Sequence, residues 1–181
     1  MTKWNGSVVA FAAAIVIALT AAPADAKPQR VCFKTSDGKH YVGRGNPGGY
    51  LHAEADECSG SAVFLIHHPD GMKKEPRFDR PVVMKSAKFK RYVWFNTKKG
   101  AAFANKSKYK KRDQRFFVKI RPSSGAGKGA PLRPGMKVQM KTVVRGMPFY
   151  AKKGGGKGLV IGNVPSGKRR WSKFTMVPAR N

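Results

Sequence analysis

Two stretches of the chain carry side chains suited to gripping anions, "NKSKYKKRDQR" from Asn105 to Arg115 and "GKRRWSK" from Gly167 to Lys173. A guanidinium fork meets sulfate, phosphate or carboxylate through two parallel hydrogen bonds, an ammonium adds a point charge, and an aromatic face can stack on a sugar ring or a base. Lys108, Lys110, Lys111, Arg112 and Arg115 in the first run, and Lys168, Arg169, Arg170 and Lys173 in the second, are therefore the candidate anion-binding residues. Tyr109 and Trp171 are their aromatic members, and Trp171 has an equal claim to anchor the strand that follows it in the core. The competing reading of both runs is a solvated basic surface that keeps the protein soluble.

Other patterns carry less. Gly43, Gly45 and Gly48 spell G-x-G-x-x-G, which binds a dinucleotide only where a strand ends and a helix begins. Pro47 falls inside the pattern and the alternating "YLHA" follows it, so a hairpin turn is expected instead. "GAGKG" at Gly125 to Gly129 has Pro122 in place of the first P-loop glycine and Gly129 in place of the hydroxyl residue, and reads as a flexible loop. Glu54, Asp56 and Glu57 share a loop whose oxygen spacing matches no familiar calcium loop. His67 and His68 precede Asp70, but neighbours on a strand point to opposite faces. No nucleophile with a base, no pair of carboxylates and no metal cluster emerges, so neither an enzyme nor a cofactor or metal site is expected.

The elements that would position the basic runs repeat along the chain. Units of about residues 30–71, 81–124 and 136–178 share one plan. Each opens on an alternating strand that ends in a lysine and a small hydroxyl residue: Val31/Phe33 before Lys34-Thr35, Val82/Met84 before Lys85-Ser86, Val138/Met140 before Lys141-Thr142. A second strand carries an aromatic, Tyr41, Tyr92 or Phe149, and the third unit has Pro148 within it. A glycine-rich turn leads to a third strand with Leu51/Ala53, Ala102/Ala104 or Val160/Gly162. A polar loop then leads to a closing strand with Phe64/Ile66, Phe117/Ile120 or Phe174/Met176. Four short strands cannot bury both faces alone, whereas three such units can close a barrel and remove its edges. The expectation is an all-β protein, a β-trefoil of about twelve strands with pseudo-threefold symmetry, in which the two basic loops occupy equivalent places and come to neighbouring positions.

The segments "FKTSDGKHYV", "GGYLHAEAD" and "AVFLI" resemble the repeat unit of fascin-like β-trefoil domains. That resemblance implies a binding scaffold without catalysis, though the actin bundling of the family does not transfer to a single exported trefoil. The Gln-x-Trp signature of ricin-type sugar-binding trefoils is absent.

Residues 1–26 read as a cleavable signal peptide: Lys3, an apolar run from Val8 to Thr20, and Ala24-Asp25-Ala26 at the cleavage point. The run is too short to span a membrane and no second one follows, so residues 27–181 are expected as a single soluble domain, secreted or periplasmic and monomeric. In an oxidising compartment Cys32 and Cys58 are expected to pair. The net charge is +28. It is one-sided: residues 30–71 hold four basic and five acidic side chains, 81–124 fourteen and one, 136–181 eleven and none. Such a field attracts polyanions. The partner expected is an acidic or sulfated polysaccharide or a cell-envelope polyanion, with extracellular nucleic acid or an acidic protein partner as alternatives.

Overall fold

A computed structural model describes residues 28–45, 48–71, 74–124, 127–161 and 169–179. The expected signal peptide lies outside them. The architecture is all-β, with strands β1 (Gln29–Lys34), β2 (Tyr41–Arg44), β3 (Leu51–Ala55), β4 (Phe64–His67), β5 (Pro81–Ser86) and β6 (Tyr92–Asn96), followed by β7 (Ala101–Lys106), β8 (Phe117–Pro122), β9 (Lys137–Thr142), β10 (Tyr150–Ala151), β11 (Gly158–Ile161) and β12 (Lys173–Pro178). Short 3-10 turns at Gly60–Ala62, Gln114–Phe116 and Arg169–Ser172 precede the fourth strand of each unit, where a polar loop is expected from the sequence. Among the described residues no helix is long and apolar enough to cross a membrane.

Six strands close a barrel. β1 pairs with β4 and β12, β5 with β4 and β8, and β9 with β8 and β12, all antiparallel. Because alternate strands of an antiparallel ring run the same way, β1, β5 and β9 leave the barrel at one end, and the hairpins β2–β3, β6–β7 and β10–β11 gather there. Pairing of β11 with β3 and β7, and a bridge between Tyr50 and Phe103, ties the three hairpins together.

The strand register fixes which positions are equivalent. Thr35, Ser86 and Thr142 each donate a backbone N–H to the carbonyl five residues on, at His40, Arg91 and Met147, with distances of 2.8, 2.8 and 2.9 Å. In two of the three units the hydroxyl serves the same turn, whereas the Ser86 Oγ is buried without a hydrogen-bond partner among the described residues. The side chain is buried at the mouth of the first turn, where Thr35 Oγ1 and Thr142 Oγ1 accept the backbone N–H of His40 and Met147 at 3.3 and 3.0 Å. Those amides would otherwise be orphaned donors. Tyr41, Tyr92 and Pro148 follow as equivalents, since they face Lys34, Lys85 and Lys141 across the turn.

Phe149, expected as the third aromatic of that series, instead matches Val42 and Val93 and is fully buried with them. Proline cannot donate to the ladder at position 148, and the strand resumes only at Tyr150. The closing strands need a similar correction. Phe64, Val118 and Phe174 are equivalent, opposite Val31, Val82 and Val138, so Val118 and not Phe117 points inward.

The core is a single cluster built on the expected triad Phe33, Met84 and Met140, all with no solvent exposure. Ile66, Ile120 and Met176 and the hairpin residues Val42, Val93 and Phe149 complete it. Two satellite clusters coat the outside of the barrel wall, one around Cys32, Ala62 and Val63 with Tyr41, the other around Val83, Phe116 and Phe117 with Tyr92. Cys32 and Cys58 form the expected disulfide, joining β1 to the loop before β4.

The glycine pattern resolves as a turn. Gly45 N–H donates to the Tyr50 carbonyl at 2.9 Å between β2 and β3, and a strand follows it.

Two stability outcomes follow from these positions. Phe174→Ala, which empties the main core, should lower the unfolding free energy by about 3–5 kcal/mol, and Phe117→Ala, on the outer wall, by measurably less. Urea midpoints of the two variants check this order. Reducing the disulfide, whose cysteines are 26 residues apart, should remove roughly 3 kcal/mol on the loop-entropy estimate and lower the melting temperature.

Candidate anion-binding surface

The first basic run leaves β7 and returns through the Gln114–Phe116 turn to β8. Lys108, Lys110, Lys111 and Arg112 are exposed. None of these four makes an ion pair within the range of a salt bridge among the described residues. Arg115 is committed instead: its Nε and Nη2 donate to Asp113 Oδ1 and Oδ2 at 2.9 and 2.7 Å, and its guanidinium lies 5.7 Å from the Trp94 ring. That pairing holds the Asp113 carboxyl below the usual carboxylate range.

Tyr109 is likewise structural. Its hydroxyl donates to the Pro69 carbonyl at 2.7 Å, and its ring lies 5.0 Å from Tyr92 and 6.0 Å from His67. It fastens the loop to the second satellite cluster and is not an aromatic insertion in a basic cleft. His67, in the same aromatic nest, has its Nδ1 3.1 Å from the His68 carbonyl, and burial, helped by the nearby Lys85 and His68 charges, pushes its pKa down.

In the second run Lys168 lies outside the described residues. Arg169, Arg170 and Lys173 are exposed, and Ser172 between them is buried with its hydroxyl donating to the Arg169 carbonyl at 2.8 Å. Trp171 is half-buried, 6.4 Å from the Tyr150 ring, and closes on Gly155 so tightly that a Cβ there would stand 3.1 Å from the Trp171 Cα. Gly155 also has a positive φ of 88°, and its carbonyl accepts from Ser36 N and Oγ at 3.1 and 3.0 Å. The turn between β1 and β2 is thereby docked against the third unit.

Two clefts flank this run. Arg170 and Lys173 line one of about 550 Å³ with Lys137, Thr35, Ser36 and Asp37. Arg169 and Ser172 line another of about 370 Å³ with Gln139, Lys141 and Pro148. The contacts of the first run are to Pro69, β4 and β6, and those of the second to β9, β10 and the β1–β2 turn, so each run has its own neighbours.

Sequence reasoning missed Lys137, Gln139 and Lys141. They alternate along β9 with the buried Val138, Met140 and Thr142, and so face outward. The register sets Lys119 opposite Lys141, and Arg121 and Lys173 on either side of Gln139. Like charges directly opposed across strands are destabilising. Arg121 is balanced by an ion pair with Asp79, whereas Lys119 and Lys141 have no acidic partner among the described residues. The signal was present in the spelling "KVQMKT", whose alternate residues are polar. Among the described residues no group of three or more His, Cys, Asp or Glu side chains could hold a metal ion.

A six-stranded barrel gathered by three hairpins, with one unit after another repeating the same pairing, is a β-trefoil-like arrangement. No family model matches the chain, and no curated protein does either. Among solved structures it is similar to the SDF2-like protein from Arabidopsis thaliana, with a TM-score of 0.63 at 7% identity over 85% of this chain and 95% of that one. At that identity the likeness speaks for the fold alone.

The half-buried His67 gives a pH outcome. A pKa depressed in the folded state means the unfolded chain binds the proton more readily, so the His67 contribution is intact above the ordinary value of 6.5 and is lost as pH falls below it. An NMR titration should place His67 below that value, and His67→Gln should flatten the decline in melting temperature between pH 7 and pH 5, about the range in which histidines titrate.

Proposed function

We propose that the protein is a non-enzymatic binding module of the fascin-like β-trefoil kind, exported from the cell, that holds an anionic polymer. An acidic or sulfated polysaccharide is the ligand class we favour. The observation that carries this reading is the placement of exposed cations with no ion-pair partner among the described residues: Lys108, Lys110, Lys111 and Arg112 on the second unit, and Arg169, Arg170 and Lys173 on the third. The first unit contributes no such surplus and holds most of the acids, so the field is directional. Solubility alone asks for a few net charges and no particular side. The repeat spelling supports the family resemblance, and the disulfide is compatible with an oxidising compartment.

The test is binding to heparin, dextran sulfate and duplex DNA at two salt concentrations. Only cations in contact with the polymer release counterions, so neutralising Lys110-Lys111-Arg112 or Arg169-Arg170-Lys173 to glutamine should weaken binding and flatten its salt dependence. The same number of changes at Lys88, Lys98 and Lys99 should do so far less. Equal losses from all three sets would leave only a basic surface, and duplex DNA bound in preference to the glycans would transfer the reading to nucleic acid.

A further inference from the structure

The three units are not equivalent on the outside of the barrel wall. The register aligns Cys32, Val83 and Gln139; Ala62, Phe116 and Ser172; Val63, Phe117 and Lys173; and Tyr41, Tyr92 and Pro148. In the first two units these four positions form the apolar satellite clusters. In the third they are Gln, Ser, Lys and Pro, and in place of a packed cluster there is a cleft of about 370 Å³. The lysine beside them changes role as well. Lys34 Nζ lies 5.5 Å over the Tyr41 ring and Lys85 Nζ 5.0 Å over the Tyr92 ring, whereas Lys141 faces Pro148 and the opening.

Packing alone would favour a third apolar cluster, which would add stability to the wall. What stands there is a polar floor. Gln139 Nε2 donates to Ser172 Oγ at 3.3 Å, and Ser172 Oγ donates to the Arg169 carbonyl at 2.8 Å, so the amide and hydroxyl are held in place. Lys141 and Arg169 line this floor, Lys173 stands opposite Gln139 in the register and lines the neighbouring cleft, and the third unit contains no acid to answer them.

We propose that this cleft, where the threefold repeat is broken, is a subsite for one sulfated or carboxylated sugar residue of a polysaccharide. The inference rests on the polyanion-binding reading above and gives it a place. Lys141 and Arg169 meet the sulfate or carboxylate, Gln139 meets a sugar hydroxyl, and the Pro148 ring offers an apolar face to the sugar. The volume falls in the range of small-ligand sites. A glycan fits better than single-stranded nucleic acid because, among the described residues, no aromatic ring lines the cleft for a base to stack on.

The decisive variant is Pro148→Tyr, which rebuilds the lysine–tyrosine arrangement of the other units and fills the cleft without altering charge. Calorimetric titration with a heparin oligosaccharide should show a loss of roughly tenfold or more for Pro148→Tyr and for Lys141→Gln, with Lys141→Arg retaining most of the affinity. The desulfated oligosaccharide should lose affinity on the wild-type protein by a similar factor. Melting curves show which variants fold, and if Pro148→Tyr does not, the Lys141 pair decides. Wild-type affinity in both Pro148→Tyr and Lys141→Gln overturns the subsite, while a protein that still binds heparin through Lys110-Lys111-Arg112 keeps the broader reading. No binding of wild-type protein to any polyanion overturns both. Single-stranded DNA bound as tightly as the glycan, and lost in the same variants, overturns the sugar assignment.

Discussion

The whole molecule depends on β1 meeting β12. Val31 to Lys34 pair with Thr175 to Pro178, and this seam converts an open row of strands into a ring. Without it β1 and β12 would each present an unpaired edge, and the inward residues of all three units would face water. With it, Phe33, Met84 and Met140 enclose one another and every barrel strand has two neighbours. The hairpins depend on the same closure. They leave the ring at one end because the ring fixes strand direction, and only then can β11 reach both β3 and β7.

Once the ring is closed, its outer wall is free to differ between units. The inward positions hold apolar residues in all three, Val31, Val82 and Val138 among them, because any polar group there would be buried without a partner. The outward positions carry no such demand. The first unit fills them around a disulfide, the second with phenylalanine and tyrosine, and the third with glutamine, serine and cations. Function can be written on the outside of a symmetric barrel without disturbing what holds it together.

That division also explains what could be read from the sequence. The twelve strands, the core triad, the hairpin reading of the glycines and the disulfide all followed from period-2 alternation, turn residues and cysteine count. The hydroxyl after each lysine was legible as a repeat, but the task of accepting a turn amide, which Thr35 and Thr142 perform and Ser86 does not, needed the coordinates. The misplacements came from one-residue ambiguities. Pro148 removed an aromatic from its place in the series, leaving Phe149 as the nearest match, and two adjacent phenylalanines at 116 and 117 hid Val118 as the inward residue. On the surface the basic runs drew attention because they are contiguous. The cations of β9, Lys137 and Lys141, are four apart, and that face acquires meaning only when the register sets Lys119 opposite Lys141 and places Gln139 between Arg121 and Lys173.

The seam between β1 and β12 has a consequence in time. Synthesis proceeds from the amino end, so the strand that completes the ring is the last of the twelve to exist, and until then β1 waits with one edge open. Non-local closures of this kind slow folding, since the intervening chain must be ordered before the contact repays it. The disulfide needs no such wait. Cys32 and Cys58 both lie in the first unit, so the bridge requires none of the later strands, and it holds β1 against the approach to β4 as a corner on which the remaining strands assemble.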